Sequence, residues 1–210
     1  MAIQISPRFL ACMPFILKEE GGYSNTPGDH GGATDYGIIQ TEYNSFRFSE
    51  KLPLQSVRLI TPAEYDTIYW QKYWNPNCPK LPVGLDLSVF NIDVNGGTGR
   101  GTRLLQKCLG IGVDGIWGAE TDKAVSVIPA SDVTSIIAAF HADERAFYQA
   151  IINYDPSQQK FASDWFGRND RCEKLSLAMA QASPAESPGL TAALDDFTNN
   201  PPKPIMKDAT

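Results

Sequence analysis

Histidine is nearly missing from this chain: His30 and His141 are the only two in 210 residues. The four cysteines, Cys12, Cys78, Cys108 and Cys172, lie far apart and form no Cys-x-x-Cys pair. A structural zinc centre draws on closely spaced cysteines and histidines, so no metal is expected, and no cofactor is called for. Buried thiols outside any disulfide are the default reading; if two disulfides form instead, four cysteines leave three pairings open. A basic excess is lacking too. Eighteen lysines and arginines against 24 aspartates and glutamates leave a net charge of -6, which argues against nucleic acid, whose phosphates demand a basic face. No long apolar run occurs either. Phe9 to Leu17 is apolar but broken by Pro14, with Arg8 as the one early cation, so neither a cleavable signal nor a membrane span is expected.

What is present suffices for a folded enzyme: 42% apolar residues can fill a single core or two closely apposed lobes. The densest chemistry is at Glu20-Gly21-Gly22-Tyr23 and, soon after, Asp29-His30-Gly31-Gly32-Ala33-Thr34-Asp35-Tyr36-Gly37-Ile38. Carboxylates, small residues and aromatics in one short segment suit a cleft that cleaves sugars. Upstream, Ser6 is fit for an N-cap and Pro7 for the first helical position, which predicts a helix beginning there. At helical spacing Phe9, Met13, Ile16 and Glu20 share a stripe, so Glu20 is expected to face inward and Glu19 well away from it. Gly21-Gly22 should stop the helix, whereas Pro14 should kink it or move its start towards Met13. A carboxylic acid held in apolar surroundings keeps its proton to higher pH and can protonate a leaving oxygen. Glycoside hydrolysis then needs a second carboxylate to orient water or steady the oxocarbenium-like transition state. Asp29 and Asp35 are the nearby candidates.

These residues resemble glycoside hydrolase family 108, the N-acetylmuramidases that include phage endolysins. The resemblance implies a mainly α, lysozyme-like helical fold with two closely packed halves, with Glu20 as catalytic acid. The order Glu20, Asp29, Thr34 is similar to the glutamate, aspartate, threonine order of phage lysozymes in another family, and implies that Asp29 and Thr34 hold the attacking water. Asp35 is the second choice for that partner. Tyr23, Asn25, Tyr36 and Gln40 would line sugar subsites, although each aromatic serves equally well as packing.

Further along, Thr61-Pro62-Ala63-Glu64 has the form of a capping box and predicts a helix to about Trp74. Its aromatic end, Tyr69, Trp70, Tyr73 and Trp74, is read as core filling rather than sugar stacking. Leu81 to Asn95 reads as a helix with Leu85, Val89 and Ile92 inward, stopped by Gly96-Gly97. Val94-Asn95-Gly96-Gly97 resembles a Val-Asn-x-Gly element of the family, but Asn91 stands where an aspartate is expected. Between Leu104 and Val125, the Leu-Gln helix, the Asp114-Gly115 turn, Trp117-Gly118 and Thr121-x-x-Ala124-Val125 are similar to peptidoglycan-binding domains. Without any sugar, the same residues make a turn and two short helices that bury Leu105, Leu109, Ala124 and Val125. A long helix should run from Ser131 or Asp132 to about Tyr154. The Trp165 to Arg168 stretch resembles the element closing the family's second half, and is read as a core aromatic beside a surface cation.

The reading divides the chain into a catalytic half at 1-95, a peptidoglycan-binding-like helical half at 96-180 and a flexible tail at 181-210, within which Leu190 to Phe197 would form a short docking helix. The resemblance implies a peptidoglycan hydrolase that cleaves the β-1,4 bond between N-acetylmuramic acid and N-acetylglucosamine. Peptidoglycan glycan strands are its expected partner and a monomer its expected state. The net negative charge offers no simple electrostatic attraction to an anionic wall. Made in the cytoplasm without a signal, such an enzyme reaches the periplasm or cell wall through a holin, lysis or a secretion system. Two rivals use the same residues: a lytic transglycosylase, which needs no second carboxylate, and a non-catalytic wall-binding or secretion accessory protein.

Overall fold

The computed structural model describes residues 5-25 and 32-182. The chain is mainly helical and divides into two compact units, with the break between Lys72 and Tyr73.

The first unit opens with α1 (Pro7-Glu20). Ser6 is its N-cap, its hydroxyl accepting from the Phe9 amide at 3.2 Å, and Pro7 occupies the first turn, where its missing N-H costs nothing. Pro14 lies inside an unbroken helix and is exposed; neither a later start nor a break follows from it. The inward stripe differs from the expected one. Phe9, Cys12, Met13, Phe15, Ile16 and Glu19 are buried, whereas Glu20 is half-buried. Cys12 and Phe15 behave as hydrophobes and widen the stripe, which rotates its centre towards Glu19 and leaves Glu20 on its margin.

After α1, Ser24 and Thr34 exchange backbone hydrogen bonds at 2.8 Å. Strands β1 (Thr34-Asp35) and β2 (Ile38-Ile39) form an antiparallel hairpin with Thr34 opposite Ile39 and Asp35 opposite Ile38. Its two-residue turn, Tyr36-Gly37, has φ of 46° and 73°, the paired positive angles that match the strands' twist. Helices α2 (Gln40-Ser49) and α3 (Pro62-Tyr69) complete the unit. The capping box at Thr61 and Glu64 forms, and Glu64 reaches further. Its carboxylate accepts from Tyr43 Oη at 2.9 Å and pairs with Arg47, so one acid caps α3 and ties it to α2. At Trp70 the α3 path widens into a π-helical turn to Trp74. Tyr69, Trp70 and Trp74 are buried, in keeping with core filling.

The second unit is organised around α4 (Leu85-Gly96), which starts four residues later than expected because Gly84, at φ 87°, turns the chain first. Leu85 through Asp93 are all buried, because α5 (Arg100-Cys108), α7 (Val133-Tyr154) and α8 (Ala162-Gln181) cover it. A helix so enclosed must find partners for the polar side chains it carries. Asp86 accepts from the Gly84 and Leu87 amides, both at 2.8 Å. Ser88 Oγ lies 3.0 Å from His141 Nε2 on α7, and Asn91 Oδ1 accepts from Arg168 Nε on α8 at 2.7 Å. Asp93 accepts from the Gly101 amide at the start of α5 at 2.8 Å. Arg168 is therefore a buried cation rather than a surface one.

Between α5 and α6 (Ala119-Ser126) the connection is held by Gln106. Its Oε1 accepts from the Asp114 and Gly115 amides, and its Nε2 donates to Asp114 Oδ1, Ile116 O and Thr121 Oγ1. Leu105 and Val125 are buried as expected, whereas Leu109 and Ala124 are half-buried. The expected tail, including Leu190 to Phe197, lies outside the described residues. None of the four cysteines forms a disulfide. Among the described residues, no single helix is long and apolar enough to cross a membrane, and no group of acidic, histidine or cysteine side chains could hold a metal.

Candidate active site

Glu20 ends α1, and Gly21, at φ 76°, closes the helix with its amide on Leu17 O. The chain then leaves the helix axis, so the Glu20 side chain sits at a helix terminus rather than along a packed face. Its carboxylate rests on the hairpin turn. A Cβ on Gly37 would stand 2.6 Å from Glu20 Oε2 and 3.1 Å from Glu20 Cβ, so a side chain there would push the acid aside, and the φ of 73° itself favours glycine. The same Cβ would meet Tyr69 Oη at 2.9 Å, and that hydroxyl donates to the Tyr36 carbonyl at 2.8 Å. Glu20, Gly37 and Tyr69 thus converge from α1, the hairpin and the end of α3.

Asp35 is buried in the strand beside this turn. Burial pushes its carboxyl above the usual range, against the Tyr36 amide, which donates to it, and the Arg58 guanidinium, whose charge lowers it. The Arg58 guanidinium also lies over the Tyr23 ring, 5.1 Å from its centroid. Tyr36 packs against Tyr65 at 5.1 Å between centroids. Burial raises the Tyr65 phenol, helped by Asp66 and Tyr36, and burial alone raises Asp66. The first unit therefore presents Tyr23, Arg58, Tyr36, Tyr65 and two acids whose burial favours the protonated form. Aromatic faces and hydrogen-bonding groups of this kind suit a carbohydrate.

The expected residues fare unequally. Glu20 and Tyr36 are brought together through Gly37, and Thr34 and Asp35 form the adjoining strand. Thr34 Oγ1 donates weakly to Gly32 O at 3.5 Å. Tyr23 and Asn25 are exposed beside the Ser24-Thr34 bridge. Asp29 lies outside the described residues. Gln40 has its amide fully engaged: it donates to Asn44 Oδ1 and Gln55 O, both at 2.8 Å, and accepts from the Val57 amide at 2.7 Å. It ties α2 to the loop at Gln55-Val57. Tyr69 and Arg58 were not anticipated. Tyr69 carried no signal beyond its aromatic neighbours, and Arg58 sits in a loop far from the motif in sequence.

Ser88, His141 and Glu144 in the second unit have the order of an acyl-transfer triad, with His141 Nδ1 at 3.3 Å from Glu144 Oε2. His141 and Ser88 are wholly enclosed and Glu144 is 1% exposed, so no substrate reaches them. Burial works against a charge on His141, but Cys172 and Glu144 outweigh it and raise its pKa. The group bolts α4 to α7.

Comparison with known proteins places these features. A family model described as Glycosyl hydrolase 108 matches residues 13-97, and one described as Predicted Peptidoglycan domain matches residues 100-170. Solved structures that match include SagA of Brucella abortus, with a TM-score of 0.66 and 29% identity over 83% of this chain and 97% of that one. No curated protein sequence matches. Glu20, Gly37 and Tyr69 all fall within the first match, and Gln106 with its turn falls within the second. Residues 13-97 thus match the glycosyl hydrolase 108 model and residues 100-170 the predicted peptidoglycan domain, a pairing that supports a peptidoglycan hydrolase.

Proposed function

We propose that the protein is an N-acetylmuramidase, cleaving the β-1,4 bond between N-acetylmuramic acid and N-acetylglucosamine with Glu20 as general acid. The observation that carries this reading is the seat of Glu20 on Gly37, which holds a half-buried carboxyl at a helix end beside a strip of aromatic side chains. Such an acid protonates the glycosidic oxygen as the bond breaks. Asp29, assisted by Thr34, orients the attacking water, and Asp35 is the alternative partner on the adjoining strand. Tyr23, Asn25 and Tyr36 offer surfaces to sugar rings, and Gln40 shapes that surface by holding its loop. The reading includes an endolysin-like monomer that reaches murein after release by a holin, lysis or a secretion device.

Purified protein and its Glu20→Gln variant are incubated with isolated murein sacculi, and released fragments are identified by mass. Reducing muropeptides from the wild type alone are expected. Anhydro products, lighter by one water, would make the enzyme a lytic transglycosylase. Full activity in Glu20→Gln would remove Glu20 from the mechanism. If Asp29→Asn retains activity while Asp35→Asn loses it, the partner is Asp35.

A further inference from the structure

We propose that Tyr69 is a positioning residue for Glu20, acting through the Tyr36-Gly37 turn; the proposal rests on Glu20 being the general acid. Tyr36 adopts φ 46°, a left-handed conformation that a bulky L-residue rarely takes without support. Support comes from the end of α3. The buried Tyr69 hydroxyl donates to the Tyr36 carbonyl at 2.8 Å, and the Tyr65 ring packs on the Tyr36 ring. With Tyr36 pinned, Gly37 presents a bare Cα at φ 73° as the stop against which the Glu20 carboxylate rests. Both Glu20 Oε2 and Tyr69 Oη lie within 3 Å of the point where a Cβ on Gly37 would stand, at 2.6 and 2.9 Å.

The widening of the helix path into a π-helical turn immediately after Tyr69 is the kind of local irregularity that aims a side chain at a site.

The test uses the full chain, soluble peptidoglycan fragments and a steady-state split of kcat from KM. Tyr69→Phe keeps the ring and removes the hydrogen bond. It is expected to lower kcat roughly ten- to a hundredfold, as small displacements of a reacting group do, and to move KM less, because Tyr23 and Asn25 are untouched and the Tyr36 ring keeps its packing on Tyr65. A folded Tyr69→Phe protein with wild-type kcat overturns the proposal, and so does a loss confined to KM. If Tyr69→Phe melts too low to assay, Gly37→Ala decides by the same split, since its Cβ displaces the carboxylate directly. A kcat loss there supports the stop, and wild-type kcat overturns it. Glu20→Gln is run alongside: turnover in that variant defeats the underlying reading, whatever Tyr69→Phe does.

Discussion

Asp93 offers the sharpest test of how the second unit is held together. The side chain is 1% exposed and accepts from the Gly101 amide at 2.8 Å and also from that of Gly99, so it fastens the end of α4 to the start of α5. Burial nevertheless dominates over these two donors and pushes the carboxyl from 3.8 up to about 7. A native pKa above the unfolded one means that stability is fully present below the unfolded value and is lost as pH rises through the native one. A gap of about three units corresponds to at most roughly 4 kcal/mol. Asp93→Asn removes the titration. The asparagine amide has one acceptor oxygen where the carboxylate has two, and whatever that costs is the same at every pH. The observable is therefore the difference in unfolding free energy between variant and wild type, measured by urea titration from about pH 4 to about pH 8. It should shift in favour of the variant by up to about 4 kcal/mol, or some 10 °C in melting temperature at roughly 2-4 °C per kcal/mol. Subtracting the two proteins cancels His141 and every other titrating group they share. A flat difference across that range would refute the reasoning, because a carboxyl buried at this corner could not then be paying for its charge.

Two other substitutions probe the same unit. Asn91 Oδ1 accepts from the buried Arg168 guanidinium, but its Nδ2 is buried without a hydrogen-bond partner. Asn91→Asp removes that unpaired donor and puts a negative charge on a side chain already bonded to a cation, and should stabilise by about 1 kcal/mol, read as a rise in melting temperature; a fall would show that the added charge costs more to bury than it recovers. Gln106→Ala removes five hydrogen bonds from the α5-α6 connection, and because Asp114 and Ile116 are exposed, water replaces part of them. A loss of about 3 kcal/mol is expected by calorimetry, and a loss under about 0.5 kcal/mol would mean that the turn stands without Gln106.

Local signals were legible in the chain where one residue type has one mechanical use. Ser6-Pro7, Thr61-Pro62-Ala63-Glu64 and Gly21 each mark a helix end in sequence, and each does so in the structure. Single-face periodicity served less well at α1, because counting Phe9, Met13 and Ile16 without Cys12 and Phe15 turned the stripe by almost a residue and exchanged Glu19 for Glu20. Polar residues were read least well. Arg168 reads as a surface cation, and Gln40 as a sugar contact, until their partners are known, and those partners lie 77 and up to 17 residues away in sequence. Nothing local announces such a bond. The Gly37 contact shows the same limit in its most useful form: Gly37 reads as a turn glycine, which it is, but a side chain there would also meet Glu20 and Tyr69, which come from other elements.

Helix α4 bears on where the chain can be divided. A boundary near residue 95 follows the motifs, and the glycosyl hydrolase 108 match ends close by at residue 97. Packing draws a different line, between Lys72 and Tyr73, and assigns α4 to the second unit. The two lines answer different questions. A family model follows residues inherited together, whereas packing follows where apolar surface is removed from water. From Leu85 to Asp93 every side chain of α4 is buried, and Ser88, Asn91 and Asp93 find their partners on α7, α8 and α5. Ending the chain after α4 would expose Leu85, Leu87, Val89, Phe90 and Ile92, each worth roughly 1.5-3 kcal/mol when buried, and would strand three polar groups. The residues matched by the hydrolase model therefore depend on the predicted peptidoglycan domain for the folding of their last helix. That domain therefore has a structural duty within the chain.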